Sequence, residues 1–466
     1  MKGGEEMENL LKYAGSLHNH TEFSNFRLRD SINTVSGLMD RAIELGHSCI
    51  AYTEHDTIAN AIDIEEEWDK RKNSNPNFKV IKGNEIYLCR NGLTKENFVR
   101  GEDKYYHFIL LAKNAEGHKQ IREISDRAWM RAWKTGKMLR VPTYYQDLID
   151  IIGKNPGNVI GQTACIGGFL GTHLLAYKEN RNEEYFNKII NWCIKVEAIF
   201  GLGNFYLEMQ PSFEKDQLFV NQQIVRISHL TGIPTVITND AHYLKKEDIR
   251  IQKIFLNSQE GEREVESFYG ATYLMSDDEI HQYMNNNIGA EEIQKAYQNI
   301  VNIAAQCEDY SLKKKLYIPY VAQNIKEPNI NDLDEYKDKV PSLYKLGTSE
   351  YSSDRHMSAV ILDKFKEQPD TYCNEATYKE LETTLDTVEI SSVANGVRWS
   401  SYLMNVRDFV QTAWNEGGSL VGPARGSGGG FLPLNMMDII QINPVKEKAP
   451  LKYWRFLNPE RVSVLD

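Results

Sequence analysis

Two histidines one residue apart, His18 and His20, follow a short apolar run in Leu17-His18-Asn19-His20-Thr21-Glu22-Phe23-Ser24. Alternate side chains of an extended segment share a face, so the two imidazoles point the same way. Such a pair at a strand end is the start of a metal site. Asn239-Asp240-Ala241-His242 repeats the device with Asp-x-His after the apolar run 234–238. A lone histidine or cysteine carries little weight, but these pairs carry more. Further candidates are Asp30, His55, Glu85, His107 and Cys165. All are imidazole, carboxylate or thiol groups, the donors that hold divalent cations. The nine are too many for one ion and suit two or three. Closely spaced ions can grip a phosphate ester, acidify a water and stabilise the leaving oxygen. The remaining histidines, at positions 47, 118, 173, 229, 281 and 356, fall in helical or polar segments and read as structural or surface groups.

The elements that must position these groups are legible as apolar runs. Residues 48–53 read as a buried strand ending at Glu54-His55, and 79–85 as a strand ending on Glu85. Residues 158–164 lead to Cys165, 204–209 form another strand, and 234–238 run into Asp240 and His242. His107 is the exception, because it opens the apolar run 105–112 instead of closing it. Between the strands, 33–45, 61–72 and 217–230 have helical spacing; Ile32, Val35, Leu38, Met39, Ala42 and Ile43 recur at that spacing in and just before the first. Alternating strands and helices predict an α/β fold with parallel strands, whose functional groups gather at the C-terminal strand ends. The spacing predicts one barrel over about 10–270. Beyond 271 the texture changes to helical stretches at 279–308, 342–395 and 402–414, with an irregular segment at 311–340. A Gly-rich turn carrying Arg425 follows at 419–430.

Bulk properties narrow the class. The 466 residues, 41% hydrophobic and 26% charged, suit a soluble chain of two to four domains. The net charge of −11 argues against broad, non-specific coating of nucleic acid but leaves room for a local basic cleft. Six scattered cysteines without Cys-x-x-Cys predict reduced thiols, no zinc knuckle and a cytoplasmic setting, bacterial or that of a virus's host. No apolar run is long enough for a membrane span, and MKGGEEMENLLK lacks a signal core.

LHNHTEFS, AYTEHD, GNEIYL, YYHFILLAK, TACIGG and TNDAHYL resemble the successive motifs of the polymerase-and-histidinol-phosphatase (PHP) domain. The version they resemble is that at the N-terminus of bacterial replicative DNA polymerase III alpha subunits. The resemblance implies a distorted (β/α)7 barrel over 1–270. It also implies a metal set of His18, His20, Asp30, His55, Glu85, His107, Cys165, Asp240 and His242. Two or three divalent ions are expected there, whether Mn, Zn, Fe or Mg. A full set implies a phosphoesterase, here a 3′–5′ exonuclease acting on mispaired primer ends. The alternative is a catalytically silent scaffold that binds DNA and a partner chain. A small-molecule phosphatase of the histidinol-phosphate kind is a third reading, against which the second half of the chain argues. Glu54 stands where the family more often has Asp.

YLMNVRDFVQTAW, VGPARGSGGG and INPVKEKAPLKYWRFLNPERVSVLD resemble the polymerase palm of the same family. The resemblance implies an incomplete α+β palm over 271–466, with Arg425, Gly426 and Ser427 on the triphosphate of an incoming nucleotide. It makes Asp466 the first catalytic aspartate, on a strand, with Mg serving the completed site. Departures are Ala424 for a usual Gly and Val464-Leu465 for a usual Met-Pro. Two-metal synthesis needs at least two carboxylates. The expectation is therefore either a truncated chain or a split polymerase, and the position of the end inside a predicted strand favours the split. A C-terminal chain would supply the remaining palm, thumb and fingers, with primer-template DNA and dNTP as substrates. The sliding clamp and other replisome proteins would be reached through that chain. Exposed apolar sheet edge is expected where the partner's strands pair.

Overall fold

A computed structural model describes residues 11–136, 138–258, 269–314, 317, 319 and 324–460. The chain divides into two compact units, Met1–Lys313 and Lys314–Asp466.

Among its described residues the first unit has nine strands: β1 (Cys49–Tyr52), β2 (Lys79–Cys89), β3 (Tyr106–Ala112), β4 (Trp133–Thr135), β5 (Met138–Arg140), β6 (Thr143–Tyr144), β7 (Val159–Gln162), β8 (Phe205–Met209) and β9 (Thr235–Ile237). The main sheet runs β1-β2-β3-β7-β8-β9, with β6 beside β2 and β4-β5 forming a separate hairpin. The sheet curls until its ends meet. Ala51 and Thr53 donate to the carbonyls of Ser16 and Asn19, while His20 donates to the Ala241 carbonyl. Residues 14–20 thus form a stave between β1 and the chain leaving β9. Strands buried on both sides need continuous apolar sequence, and CIAY of β1 and FYLEM of β8 are wholly buried.

The expectation of parallel strands needs correction. β1-β2, β7-β8 and β8-β9 are parallel, but β3 runs antiparallel to both β2 and β7. The reversal explains His107: the N-terminal end of β3 lies at the mouth where the other strands end. Gly83 permits the close β2-β3 approach, since a Cβ there would sit 2.5 Å from the Leu110 carbonyl oxygen.

Helices cover the outside. Val35–Glu44 is capped by Thr34, whose hydroxyl accepts from Gly37 N at 3.0 Å, and it buries Val35, Leu38, Met39 and Ala42 at helical spacing. Lys215–Thr231 ends at Gly232 in the left-handed conformation. Two helices beyond the expected boundary at 270, Asp277–Ile288 and Ala290–Gln306, also belong to this unit. Their Ile280, Met284, Ile293, Ile300 and Ile303 join the same core as β3 and β8. The compact unit therefore extends to Lys313 because apolar helix faces continue to pack on the barrel.

The second unit is helical among its described residues, with a core that includes Leu343, Ile361, Phe365, Leu381, Leu403 and Phe431. Its longest helices are Ser352–Glu367, Glu375–Asn395 and Trp399–Asn415. The Gly-rich turn forms a short 3-10 helix, Gly426–Gly430. The strand expected to carry Asp466, and the sheet edge expected beside it, lie outside the described residues. Among the described residues no helix of the chain is long and apolar enough to cross a membrane.

Candidate metal centre

The nine sequence candidates, spread over more than 220 positions, converge at one end of the barrel. Three trios have potential ligand atoms within 4.8 Å of one another: His20/His55/His242, His18/His20/Asp240 and Glu85/His107/Cys165. Asp30 joins through Oδ2, 3.2 Å from His55 Nε2, and Oδ1, 3.5 Å from His242 Nδ1. Two carboxylates link the trios. One oxygen of Asp240 lies 3.2 Å from His18, 3.1 Å from His20 and 3.3 Å from His242. Glu85 offers Oε1 to His107 at 2.7 Å and Oε2 to His55 in a short contact.

The local backbone is committed to this arrangement. Five non-glycine residues have left-handed φ, and three of them lie in or beside the cluster: Asp240 (φ 49°), Ala164 before Cys165 (φ 60°) and Asp56 after His55 (φ 52°). Strained backbone of this kind persists where the surroundings over-determine it. The turn after Cys165 also needs Gly168, because a Cβ there would lie 2.2 Å from the Thr163 carbonyl oxygen. The turn sets Gly168 beside His107, with which it forms a parallel bridge.

Electrostatics within the cluster are tightly balanced. Burial would depress His18, but Asp240 and Glu208 outweigh it and raise its pKa to about 9. Burial likewise opposes protonation of His55 and His242, yet Asp30 with Glu85, and Asp30 with Asp240, raise them to about 10 and 9. His20 is the converse: burial and the neighbouring His55 lower it to about 3. Asp30, Glu85 and Asp240 stay far below the ordinary carboxylate range, their imidazole neighbours overcoming burial. Burial and the nearby carboxylates push the Cys165 thiol up. A cation would replace those protons as the counter-charge.

The donor set fits divalent cations on a second count. Asp30 Oδ1, Glu85 Oε1 and Asp240 Oδ1 are buried without a hydrogen bond. Buried carboxylate oxygens without partners are costly, and these three all face imidazole nitrogens.

Several supporting residues were not singled out from the sequence. Glu208 Oε1 lies 2.8 Å from His18 Nδ1 and also accepts from Thr238 Oγ1 at 2.6 Å. Ser24 Oγ is 3.0 Å from His20 Nδ1 and donates in turn to Glu54. Glu54 also accepts from Thr21 N at 2.8 Å and Asn60 Nδ2 at 2.7 Å, so it anchors Ser24 beside His20. Tyr87 Oη is 3.0 Å from His55 Nδ1. Arg27 is held by Asp56 at 2.9 Å and stacks over Tyr87, which places a cation beside the carboxylates. A carboxylate inside the apolar run FYLEM was the available signal for Glu208; nothing in composition marked Ser24 or Tyr87.

In the second unit, Arg425 and Gly426 line a cleft of about 280 Å³ with Ala424, Gly429, Glu447 and Leu451. Ser427 is not among its lining residues. Asp466 lies outside the described residues. Of the six other histidines, His47 pairs with the Met275 carbonyl, His173 with Tyr106 Oη and His229 with Glu292.

Comparison with known proteins agrees with this division. A family model described as the PHP domain matches residues 16–212, and one described as the bacterial DNA polymerase III alpha NTPase domain matches residues 355–466. The DNA-directed DNA polymerase of Bacillus phage SPbeta is 34% identical over 477 residues, covering 96% of this chain and 36% of the relative. DNA polymerase III subunit alpha of Borreliella burgdorferi is 29% identical over 465 residues, covering 97% of this chain and 34% of the relative. The chain thus spans about a third of the length of these curated relatives. Among solved structures, an amidohydrolase from Chromobacterium violaceum aligns at 13% identity and a TM-score of 0.30, over 49% of this chain and 87% of that one. The chain carries a PHP domain of α/β fold followed by a DNA polymerase III alpha NTPase region, and it is homologous to DNA polymerase III alpha subunits over most of its length.

Proposed function

We infer that the first unit is a metal-dependent phosphodiesterase that removes nucleotides from 3′ ends, as a proofreading exonuclease does. The observation that carries this reading is the convergence of three imidazole, carboxylate and thiol trios around carboxylate oxygens that lack hydrogen bonds. The ligand roles go to His18, His20, Asp30, His55, Glu85, His107, Cys165, Asp240 and His242. Divalent cations held there would polarise the phosphoryl group and acidify the attacking water. The chain's own contribution is placement. Glu208, Ser24 and Tyr87 fix ring orientations, and Glu85 and Asp240 tie the three trios into one centre. Arg27 supplies positive charge beside that centre for a phosphate oxygen.

The second unit contributes triphosphate contacts from Arg425, Gly426 and Ser427 to DNA synthesis, with Asp466 as one palm carboxylate. Synthesis belongs to the whole length of the relatives, so this portion acts together with the remaining palm, thumb and fingers.

The test is metal analysis combined with digestion of a primer bearing a mispaired 3′ end. Release of 5′-mononucleotides, abolished by chelator and in His20→Ala, is the expected result. Folded, DNA-binding protein that holds metal yet leaves the primer intact would return the domain to the scaffold reading. Turnover of free phosphomonoesters with no action on DNA would revive the small-molecule reading.

A further inference from the structure

A second feature opens directly from the candidate metal centre. Asp240 forms part of the wall of a cleft of about 230 Å³, together with Gln210, Ser212, Glu214, Asp216 and Asn239. Its chemistry differs from that of the centre. Among the described residues no lysine, arginine or histidine lines it; its walls mix amides and hydroxyls with the apolar Ile166, Pro211 and Ala271, and its rim carries the exposed carboxylates Glu214 and Asp216, the latter paired with Lys178 at 2.6 Å.

Asn239 is the informative residue. It is 2% exposed. Its Oδ1 accepts from Met275 N at 3.4 Å and from Tyr13 Oη at 3.4 Å. A backbone N–H can only donate, so the amide orientation is fixed with oxygen toward Met275. The other prong, Nδ2, is buried without a partner, on a residue that lines the cleft. A buried donor without an acceptor is costly, and a ligand acceptor in the cleft would satisfy it. Gln210 connects the same wall to the centre, since its Nε2 donates to Glu208 Oε1 at 3.0 Å and Glu208 holds His18.

We propose that this cleft receives the 3′-terminal nucleoside of the strand being cut, with Asn239 Nδ2 donating to an acceptor on that nucleoside. The inference rests on the phosphodiesterase reading and supplies its end-selectivity. In the reaction, water forms a bond to the scissile phosphorus as the P–O3′ bond breaks. The water's proton is carried off to the departing O3′, leaving a 5′-monophosphate and a 3′-hydroxyl strand. The terminal nucleoside stays on the phosphate and has only a hydroxyl on its far side. A carboxylate rim tolerates that hydroxyl. Glu214, outside the Asp216–Lys178 pair, repels the next phosphate of a continuing strand, or a 3′-phosphate, by like-charge contact.

The experiment has two arms. In the first, free thymidine, which has no phosphate to engage the metal centre, is added to the full chain and followed by saturation-transfer NMR. Transfer to thymidine is expected, weakened five- to tenfold in affinity by Asn239→Asp, which keeps Oδ1 and replaces the donor. No transfer, or equal affinity in wild type and variant, overturns the proposal. In the second, oligonucleotides ending in 3′-hydroxyl and 3′-phosphate compete for cleavage. The wild type should prefer the hydroxyl end at least tenfold, and Glu214→Gln, at an exposed position outside the Asp216–Lys178 pair, should shrink that ratio severalfold. An unchanged ratio overturns the proposal. If nothing is cleaved at all, the phosphodiesterase reading fails while the thymidine arm still decides the cleft.

Discussion

His18 Nδ1 lies 2.8 Å from Glu208 Oε1, and this contact leaves Nε2 as the nitrogen facing His20 and Asp240. Glu208 is itself fixed by Thr238 and Gln210. Partners of this kind orient a ligand ring and raise its basicity, and their loss costs roughly 10–100-fold in metal affinity. Glu208→Gln should therefore bind divalent cations about 10–100-fold more weakly while folding normally. Calorimetric titration of the two proteins with Mn²⁺ or Zn²⁺ reads this directly. Equal affinities would remove Glu208 from the supporting set.

Metal removal should act on stability as well as on activity. A cation that binds only the folded chain at 100 times its dissociation constant adds about 2.7 kcal/mol. Chelation should lower the thermal midpoint of the first unit, and re-addition should restore it. Cys165→Ser should lower the ion count per chain by one without emptying the rest, because Cys165 and His107 belong to one trio and to neither of the others. Metal content measured after dialysis checks the count. Loss of every ion in that variant would mean that the three trios do not fill independently.

Much of this site could be read from the sequence because strand ends and metal donors coincide there. The pairs His18/His20 and Asp240/His242 declare themselves by alternation, and Thr34 and Gly232 announce helix ends where they occur. His107 looked misplaced only because strand direction is not written in an apolar run; the antiparallel placement of β3 brings it to the mouth. Ser24 and Tyr87 were invisible because their roles come from contacts with His20 and His55, made across the fold or a turn. The boundary fell past 270 for a similar reason. Helices Asp277–Ile288 and Ala290–Gln306 are amphipathic, and amphipathicity does not name the surface that a helix face will cover.

His47 gives the first unit a pH dependence separate from the metal centre. Burial lowers its pKa from 6.5 to about 4, with the bond to the Met275 carbonyl opposing weakly. Between those values the unfolded chain binds a proton that the folded chain does not. Stability from this group is therefore complete above pH 6.5 and is lost as the pH falls toward 4. The span corresponds to about 3 kcal/mol. In His47→Gln that portion should vanish, so the gap between wild type and variant should narrow as urea titrations move from pH 7.5 to pH 4.5. A gap that stays constant with pH would show that His47 has the same pKa in the folded and unfolded chain.

Two glycines of the turn in the second unit should respond differently to the same methyl group. Gly430 lies against Leu451, and a Cβ there would come within 2.5 Å of the Leu451 carbonyl oxygen. Leu451 lines the same cleft as Arg425, so the glycine sets the wall position. Gly430→Ala must displace backbone and should cost about 1–3 kcal/mol. Gly426 has φ 64° and open space around its Cβ direction, so Gly426→Ala pays only the left-handed backbone penalty, on the order of 1 kcal/mol. Thermal unfolding should rank the variants in that order. If the turn grips a triphosphate through its backbone amides, Gly426→Ala should lose dNTP affinity out of proportion to its small stability loss, and Arg425→Ala should lose affinity with almost no stability loss. Equilibrium dialysis of labelled dNTP against the three variants separates these outcomes. Affinity that simply follows stability across the series would mean that the turn is a packing element and makes no contact with nucleotide.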